Sequence, residues 1–153
     1  MPAFQRILLA TDFSETAACA TDLALLMART FNASLDVLHV LETETPIMTD
    51  GVVYLPPNYY EELEKQAAEN LEAVIPRAEH DNLSVTLAMR KGAPFVEIVR
   101  YARDQKMDLI VQGTHGRGAL SHVIMGSVAE RVVRKAPCPV LTVRHPHHEF
   151  VMP

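Results

Sequence analysis

At 153 residues the chain has the length of one domain, able to bury roughly two thirds or more of its unfolded surface, and leaves no room for a second. Its 48% hydrophobic and 22% charged residues are ordinary for a globular protein, and no window reaches the roughly 18 uninterrupted apolar residues of a membrane span, so no membrane partner is expected. The net charge of −5 argues against nucleic-acid binding, which needs a basic footprint; any phosphate bound here must be held locally.

The first residues, Met1-Pro2-Ala3-Phe4-Gln5-Arg6, lead into a strand without the basic, apolar and small-residue regions of a signal peptide, and a cytoplasmic location is expected. Cys19 in a helical pattern and Cys138 between two prolines have neither metal-site spacing nor the density of a disulfide scaffold, so both are expected as buried thiols.

Ile7-Leu8-Leu9-Ala10 is a continuous apolar run, the mark of a central strand covered on both faces. Ser14 is placed to cap a helix, with Glu15 in its first turn. Ala17, Ala20, Ala24 and Met27 recur at helical spacing, and the helix should end near Phe31-Asn32. Ser34 to Leu41 reads as the second strand, interrupted by His39, which either satisfies a hydrogen bond beside the core or serves a ligand. Segment 42–58, with Pro46, Gly51 and Pro56-Pro57, is too long for an ordinary connection and follows the carboxyl end of a strand, so a lid or rim is expected. A charged helix spans 59–79, lined by Leu63, Ala67, Leu71 and Val74, with Pro76 expected to kink or end it. Val85, Leu87 and Met89 alternate with small or polar residues in a third strand, and Pro94 opens a helix carrying Val96, Ile98, Val99 and Ala102.

Leu109-Ile110-Val111 forms a fourth buried strand that ends abruptly at Gly113. Gly113, Gly116 and Gly118 follow, where positive φ and the lack of Cβ would let backbone amides approach an anion. Gly126 and Ser127 then open a helix (Val128, Ala129, Val132, Val133) whose free N–H groups and dipole point back toward the same place. Val140 to Val143 is the fifth strand. Parallel strands joined by helices give an open five-stranded α/β sheet with helices on both faces, in order 3-2-1-4-5. The topological switch then lies between strands one and four, and Ala10-Thr11-Asp12 and Gln112-Gly113 fall on either side of one crevice. For a lone Gly-x-Gly, a simple turn would be the better reading; here two loop-to-helix positions converge. There is no Gly-Lys-Ser/Thr, so this is not a P-loop NTPase, and Gly116-Arg117-Gly118 lacks the third glycine of a dinucleotide fingerprint.

The spacing Gly113, two residues, Gly116, nine residues, Gly126-Ser127 resembles the ATP-binding signature of the universal stress protein family. The likeness covers nearly the whole chain, including Leu8-Leu9-Ala10-Thr11-Asp12-Phe13-Ser14, Leu38-His39-Val40 and Ala136-Pro137-Cys138-Pro139-Val140-Leu141. It implies a Rossmann-like fold similar to that of the adenine nucleotide alpha hydrolases, spanning 1–145, with 146–153 as a flexible tail. It also implies that backbone groups of Ala10 and Val40 lie near adenine, with Thr11 and Asp12 beside them and Asp12 reaching ribose, phosphates and a bridging Mg²⁺; the alternative for Asp12 is helix-start electrostatics. Gly113, Gly116, Gly126 and Ser127, followed by Val128, would contact ribose and phosphates, and Thr114, His115, Arg117 and Gly118 line the intervening loop. Arg117 either neutralises a phosphate or is an ordinary exposed arginine. Gln112 is placed to face base or ribose.

His115 is the one residue of that loop that could act as a base at neutral pH, but nothing in the sequence orients it, so slow ATP turnover is the most that is expected. His145, His147 and His148 could hold a metal by composition, although a loose terminus is the simpler reading. The family likeness and the exposed edge of the last strand together imply a homodimer paired through Val140 to Val143. The expected function is therefore an ATP-binding, dimeric, nucleotide-responsive regulatory module. A slow ATPase or phosphotransfer enzyme, or a chaperone-like dimer without nucleotide, are the alternatives; the intact glycines count against the last.

Overall fold

The computed structural model describes residues 4–43, 55–80, 82–115 and 125–145. They form β1 (Arg6–Ala10), α1 (Glu15–Phe31), β2 (Ser34–Leu41), α2 (Tyr59–Glu72), α3 (Ile75–His80), β3 (Val85–Lys91), α4 (Pro94–Asp104), β4 (Leu109–Gly113), α5 (Ser127–Lys135) and β5 (Val140–Val143). The sheet is wholly parallel and its order is β3-β2-β1-β4-β5, as expected. In the register Ala10 lies between Leu38 of β2 and Gln112 of β4, so β1 ends there, flanked by β2, which runs on to Leu41, and β4, which runs on to Gly113.

Alternation along the buried strands divides the apolar residues between two layers. Ile7, Leu9, Leu35, Val37, Leu109 and Val111 face α1, α2 and α3, whereas Leu8, Leu38, Val40 and Ile110 face α4 and α5. Ile7, Leu8 and Leu9 are completely buried, which explains why β1 reads as an unbroken apolar run. Helix α1 lies close to the sheet because its inner face is built of Ala17, Ala20, Ala24 and Ala28. Ser14 caps it, its Oγ accepting from the Ala17 amide at 3.2 Å. Asn32 ends it in the left-handed conformation, φ 51°, and donates to the Arg29 carbonyl. Segment 59–79 divides into α2 and α3 at Ala73-Val74, with Pro76 in the first turn of α3, where its missing N–H costs least.

Two expectations change. Cys19 and Cys138 are half-buried and unpaired instead of fully buried; burial, then Asp108, pushes the Cys138 thiol up and leaves it a poor nucleophile. Gly113 does not need positive φ. It is the last residue of β4, and a Cβ there would stand 2.9 Å from Thr16 Cγ2 and 3.2 Å from the Thr16 carbonyl carbon, so its role is to admit α1. The start of the sheet is tied by Asp108, whose Oδ2 accepts from the Gln5 and Arg6 amides at 2.9 Å each.

One buried polar pair crosses the second layer. Tyr101 of α4 donates to Asp36 Oδ2 of β2 at 2.8 Å, with the Arg90 guanidinium 5.5 Å from the Tyr101 ring centroid. Both residues are under a tenth exposed, so the bond satisfies a carboxylate that would otherwise be costly to bury. Burial first, and then Asp36, pushes the Tyr101 hydroxyl up to about 12.

Two outcomes follow from this packing. Gly113→Ala should cost about 1–3 kcal/mol through overpacking, seen as a fall in Tm of roughly 2–4 °C per kcal/mol, and Thr16→Ser in the same chain should recover part of it by removing Cγ2. An unchanged Tm would mean α1 does not approach as described. In the unfolded chain a tyrosine ionises near pH 10, so the raised folded-state value contributes stability that is complete below about pH 10 and lost as pH rises through about 12. Tyr101→Phe should therefore be less stable than wild type by about 1–3 kcal/mol at neutral pH, and urea denaturation at fixed pH should show it losing less stability across that alkaline window. Equal slopes for the two proteins would contradict the buried bond.

Candidate functional site

A cavity of about 870 Å³ opens at the carboxyl edge of the sheet. Its walls bring together the end of β1 and the turn after it (Ala10, Thr11, Asp12), Val40 of β2, the end of β4 and the residues after it (Gln112, Gly113, Thr114, His115), and the start of α5 (Gly126, Ser127, Val128). These are widely separated in sequence and adjacent only because β1 sits between β2 and β4. Gly116, Arg117 and Gly118 lie outside the described residues, as do His147 and His148 and most of the expected lid, 44–54. Of the histidine cluster, His145 is placed 3.6 Å from the Glu15 carboxylate, near the start of α1.

The cavity floor is held by main-chain bonds. The Thr114 amide donates to the Val143 carbonyl at 2.9 Å, and the Thr114 carbonyl accepts from the Gly126 amide at 2.6 Å. The chain thus leaves β4 and re-enters at α5 within one hydrogen bond. The Gly126 amide is spent in this way. Gly126 is an extended N-cap, φ −69° and ψ 155°, without a side-chain cap, and the first helical bond runs from Glu130 to its carbonyl. No described residue accepts from the Ser127 or Val128 amide, and both residues line the cavity at the positive end of the helix dipole.

Side chains around this floor have distinct tasks. Asp12 Oδ1 accepts from the Ser14 amide at 3.0 Å, the helix-start role, while Asp12 also lines the cavity. Both readings of this residue are compatible. The Gln112 side chain donates to the Ala129 carbonyl at 3.1 Å and is 4% exposed, so its amide group holds α5 against β4 instead of facing a ligand with both donors. His39 is buried beside the core, as one of its two readings has it. Its Nδ1 lies 2.8 Å from the Thr11 carbonyl, which can only accept, so Nδ1 carries the proton and ties the ends of β1 and β2 together. Thr114 Oγ1 and His115 Nδ1 are 2.9 Å apart, which orients the imidazole and could not be read from the sequence.

Sequence reading missed a whole wall. Tyr59, Tyr60, Leu63, Gln66, Ala67 and Asn70 of α2, together with Phe13 and His39, line the cavity too. The signal was present as two neutral amides within a helix otherwise rich in glutamate, but periodicity alone assigns such a face to solvent. Among the described lining residues there are two carboxylates, Asp12 and Glu42, and no lysine or arginine. A polyanion would therefore rely on backbone amides and a cation. Among the described residues no group of three or more His, Cys, Asp or Glu could hold a metal unaided. One carboxylate with phosphate oxygens nevertheless suits Mg²⁺, which keeps several waters and takes few protein ligands.

Comparison with known proteins agrees with this architecture. The model of the universal stress protein family matches residues 3–144. A universal stress protein of Thermus aquaticus is 38% identical over 92% of this chain and 99% of its own. Universal stress protein MJ0531 of Methanocaldococcus jannaschii is 34% identical over 95% of this chain and 85% of its own. Among solved structures, MJ0577 superposes with a TM-score of 0.83 at 29% identity, covering 95% of this chain and 99% of that one. A universal stress protein solved in complex with cAMP superposes at 0.68 with 26% identity, over 94% of this chain and 98% of that one. No helix of the described residues is long and apolar enough to cross a membrane. With a match running through all five strands and relatives at a third identity or more over nearly their full lengths, this chain belongs to the universal stress protein family.

Proposed function

We propose that this protein binds ATP as its Mg²⁺ complex and acts as a dimeric, nucleotide-responsive regulatory module. The observation that carries the reading is the convergence of Asp12, the Gly113-Thr114 strand end and the unspent Ser127 and Val128 amides in one cavity. The amides would take phosphate oxygens, and Asp12 would hold a Mg²⁺ ion, whose charge would offset the repulsion between its carboxylate and the phosphates. Val40 and Ala10 border the position of the base, near the middle of the sheet edge. The relative crystallised with cAMP, itself an adenine nucleotide, supports the same class of ligand.

The Thr114 to His115 hydrogen bond favours a second reading, slow ATP hydrolysis with an oriented imidazole as base. Dimerisation rests on β5, an edge strand whose four residues are all half-exposed. The Pro139 and Val143 carbonyls accept from Ile110 of β4 and from Thr114 just after it. By the alternation of a strand, Thr142 therefore directs its N–H and C=O outward, where a second copy can pair.

Titration calorimetry with Mg-ATP tests the first reading through one amide. Gly126 already has the backbone that precedes proline, and Ser127 is the first helical residue, so Ser127→Pro deletes the N–H without disturbing α5. It should weaken ATP binding about tenfold to a hundredfold, as expected for one hydrogen bond to a charged group, whereas Ser127→Ala, which keeps the amide, should bind within a few-fold of wild type. Equal affinity in the proline variant would remove the helix terminus from the site, and no affinity in wild type would refute nucleotide binding. For the dimer, light scattering should give twice the chain mass for wild type and the single-chain mass for Thr142→Pro, because proline removes an outward donor and leaves the β4 ladder intact. A monomeric wild type at micromolar concentration would end the edge-pairing proposal.

A further inference from the structure

Helix α2 carries Glu61, Glu62, Glu64, Lys65, Glu69 and Glu72, yet none of these lines the cavity. The positions that do, Tyr59, Leu63, Gln66 and Asn70 foremost, recur at four, three and four residues and are all uncharged. A helix that sends every charge elsewhere presents a neutral face, unsuited to phosphate and suited to the uncharged part of a ligand. The side-chain amides of Gln66, which is exposed, and Asn70, which is half-buried, make no hydrogen bond to a described residue. Each amide offers donors and an acceptor, the combination that reads the edge of a heterocyclic base.

An aromatic surface lines the same cavity. Phe13 is held at φ 63°, a conformation that is strained for a bulky residue, and its ring lies 4.5 Å from that of His39 at an angle of 32°. The His39 ring is itself fixed through its bond to the Thr11 carbonyl. Strain of this kind persists where the surroundings enforce it, and here Phe13, packed against the core and the His39 ring, is an aromatic lining residue of the cavity.

We propose that the α2 face, through Gln66 and Asn70 with Tyr59 and Leu63 beside them and the Phe13–His39 pair as an aromatic surface, is a base-reading wall that sets which nucleotide the cavity accepts. This rests on the nucleotide reading above and adds to it a source of discrimination on the helix that follows β2. The wall contributes contacts to the base alone; the phosphates remain with α5.

Calorimetry with ATP, GTP and inorganic tripolyphosphate separates these parts. Wild type should favour ATP over GTP, and the double variant Gln66→Leu/Asn70→Leu should lose about tenfold or more in ATP affinity, with the ATP to GTP ratio falling toward one and tripolyphosphate affinity unchanged. If the double variant loses tripolyphosphate as well, the exposed Tyr59→Ala decides: a loss of about fivefold or more for ATP with tripolyphosphate retained supports the wall, and no loss overturns it. ATP affinity and base preference unchanged in the double variant, or a wild type that binds tripolyphosphate as tightly as ATP, overturns the wall while leaving anion binding intact. A wild type that binds none of the three overturns the nucleotide reading and the wall with it.

Discussion

The site depends on the two hydrogen bonds made by the peptide groups of Thr114. Its amide is anchored to Val143 of β5 and its carbonyl to the Gly126 amide, so one residue joins the end of β4, the edge strand and the start of α5. That bracket, with the Gln112 bond to Ala129, fixes the first turn of α5 relative to the strand ends, and free amides at a helix start bind an anion only when they are aimed. The register places Ala10 beside Gln112 and Leu38, so the bracket acts at the level where β1 ends.

Around this bracket, polar groups are divided between holding and binding. Gln112, Asp36 and Tyr101 are buried and spend their hydrogen bonds inside the protein, on Ala129 and on each other. His39 and Thr114 do the same while forming part of the cavity wall. Such satisfied groups give rigidity, because releasing any one of them leaves a partner unpaired in a low-dielectric interior. What remains for a ligand is mostly main chain and neutral side chain. A cavity with two carboxylates and no described cation is a poor trap for a bare polyphosphate, and this is the physical reason for reading the ligand as a metal complex.

Much of the fold was legible because burial on both sheet faces leaves a strong mark on the chain. The unbroken Ile7-Leu8-Leu9-Ala10 and Leu109-Ile110-Val111 runs, the alanines of α1, the Ser14 cap and the Asn32 terminus all act over a few residues, and each appears where local chemistry places it. Gly113 was legible as a position and misread as a reason. Gly113 is small because Thr16 presses on it, a contact between residues 97 positions apart that no local pattern reports.

The α2 wall, the spent amides of Gly126 and Gln112, and the orientation of His115 were not legible, for a common reason. Whether a donor is spent depends on what lies across from it, and that is settled by the packing of α5 on β4 and of α2 over β2. The sequence by itself determined the strand and helix alternation, the strand order consistent with it, and the residues able to meet at the crevice, since hydrophobic period and capping are short-range. Only the tertiary structure decided which of those residues keep a free hydrogen-bonding group toward the cavity and which use it up in holding the walls, because each group can be satisfied only once and its partner comes from a distant part of the chain.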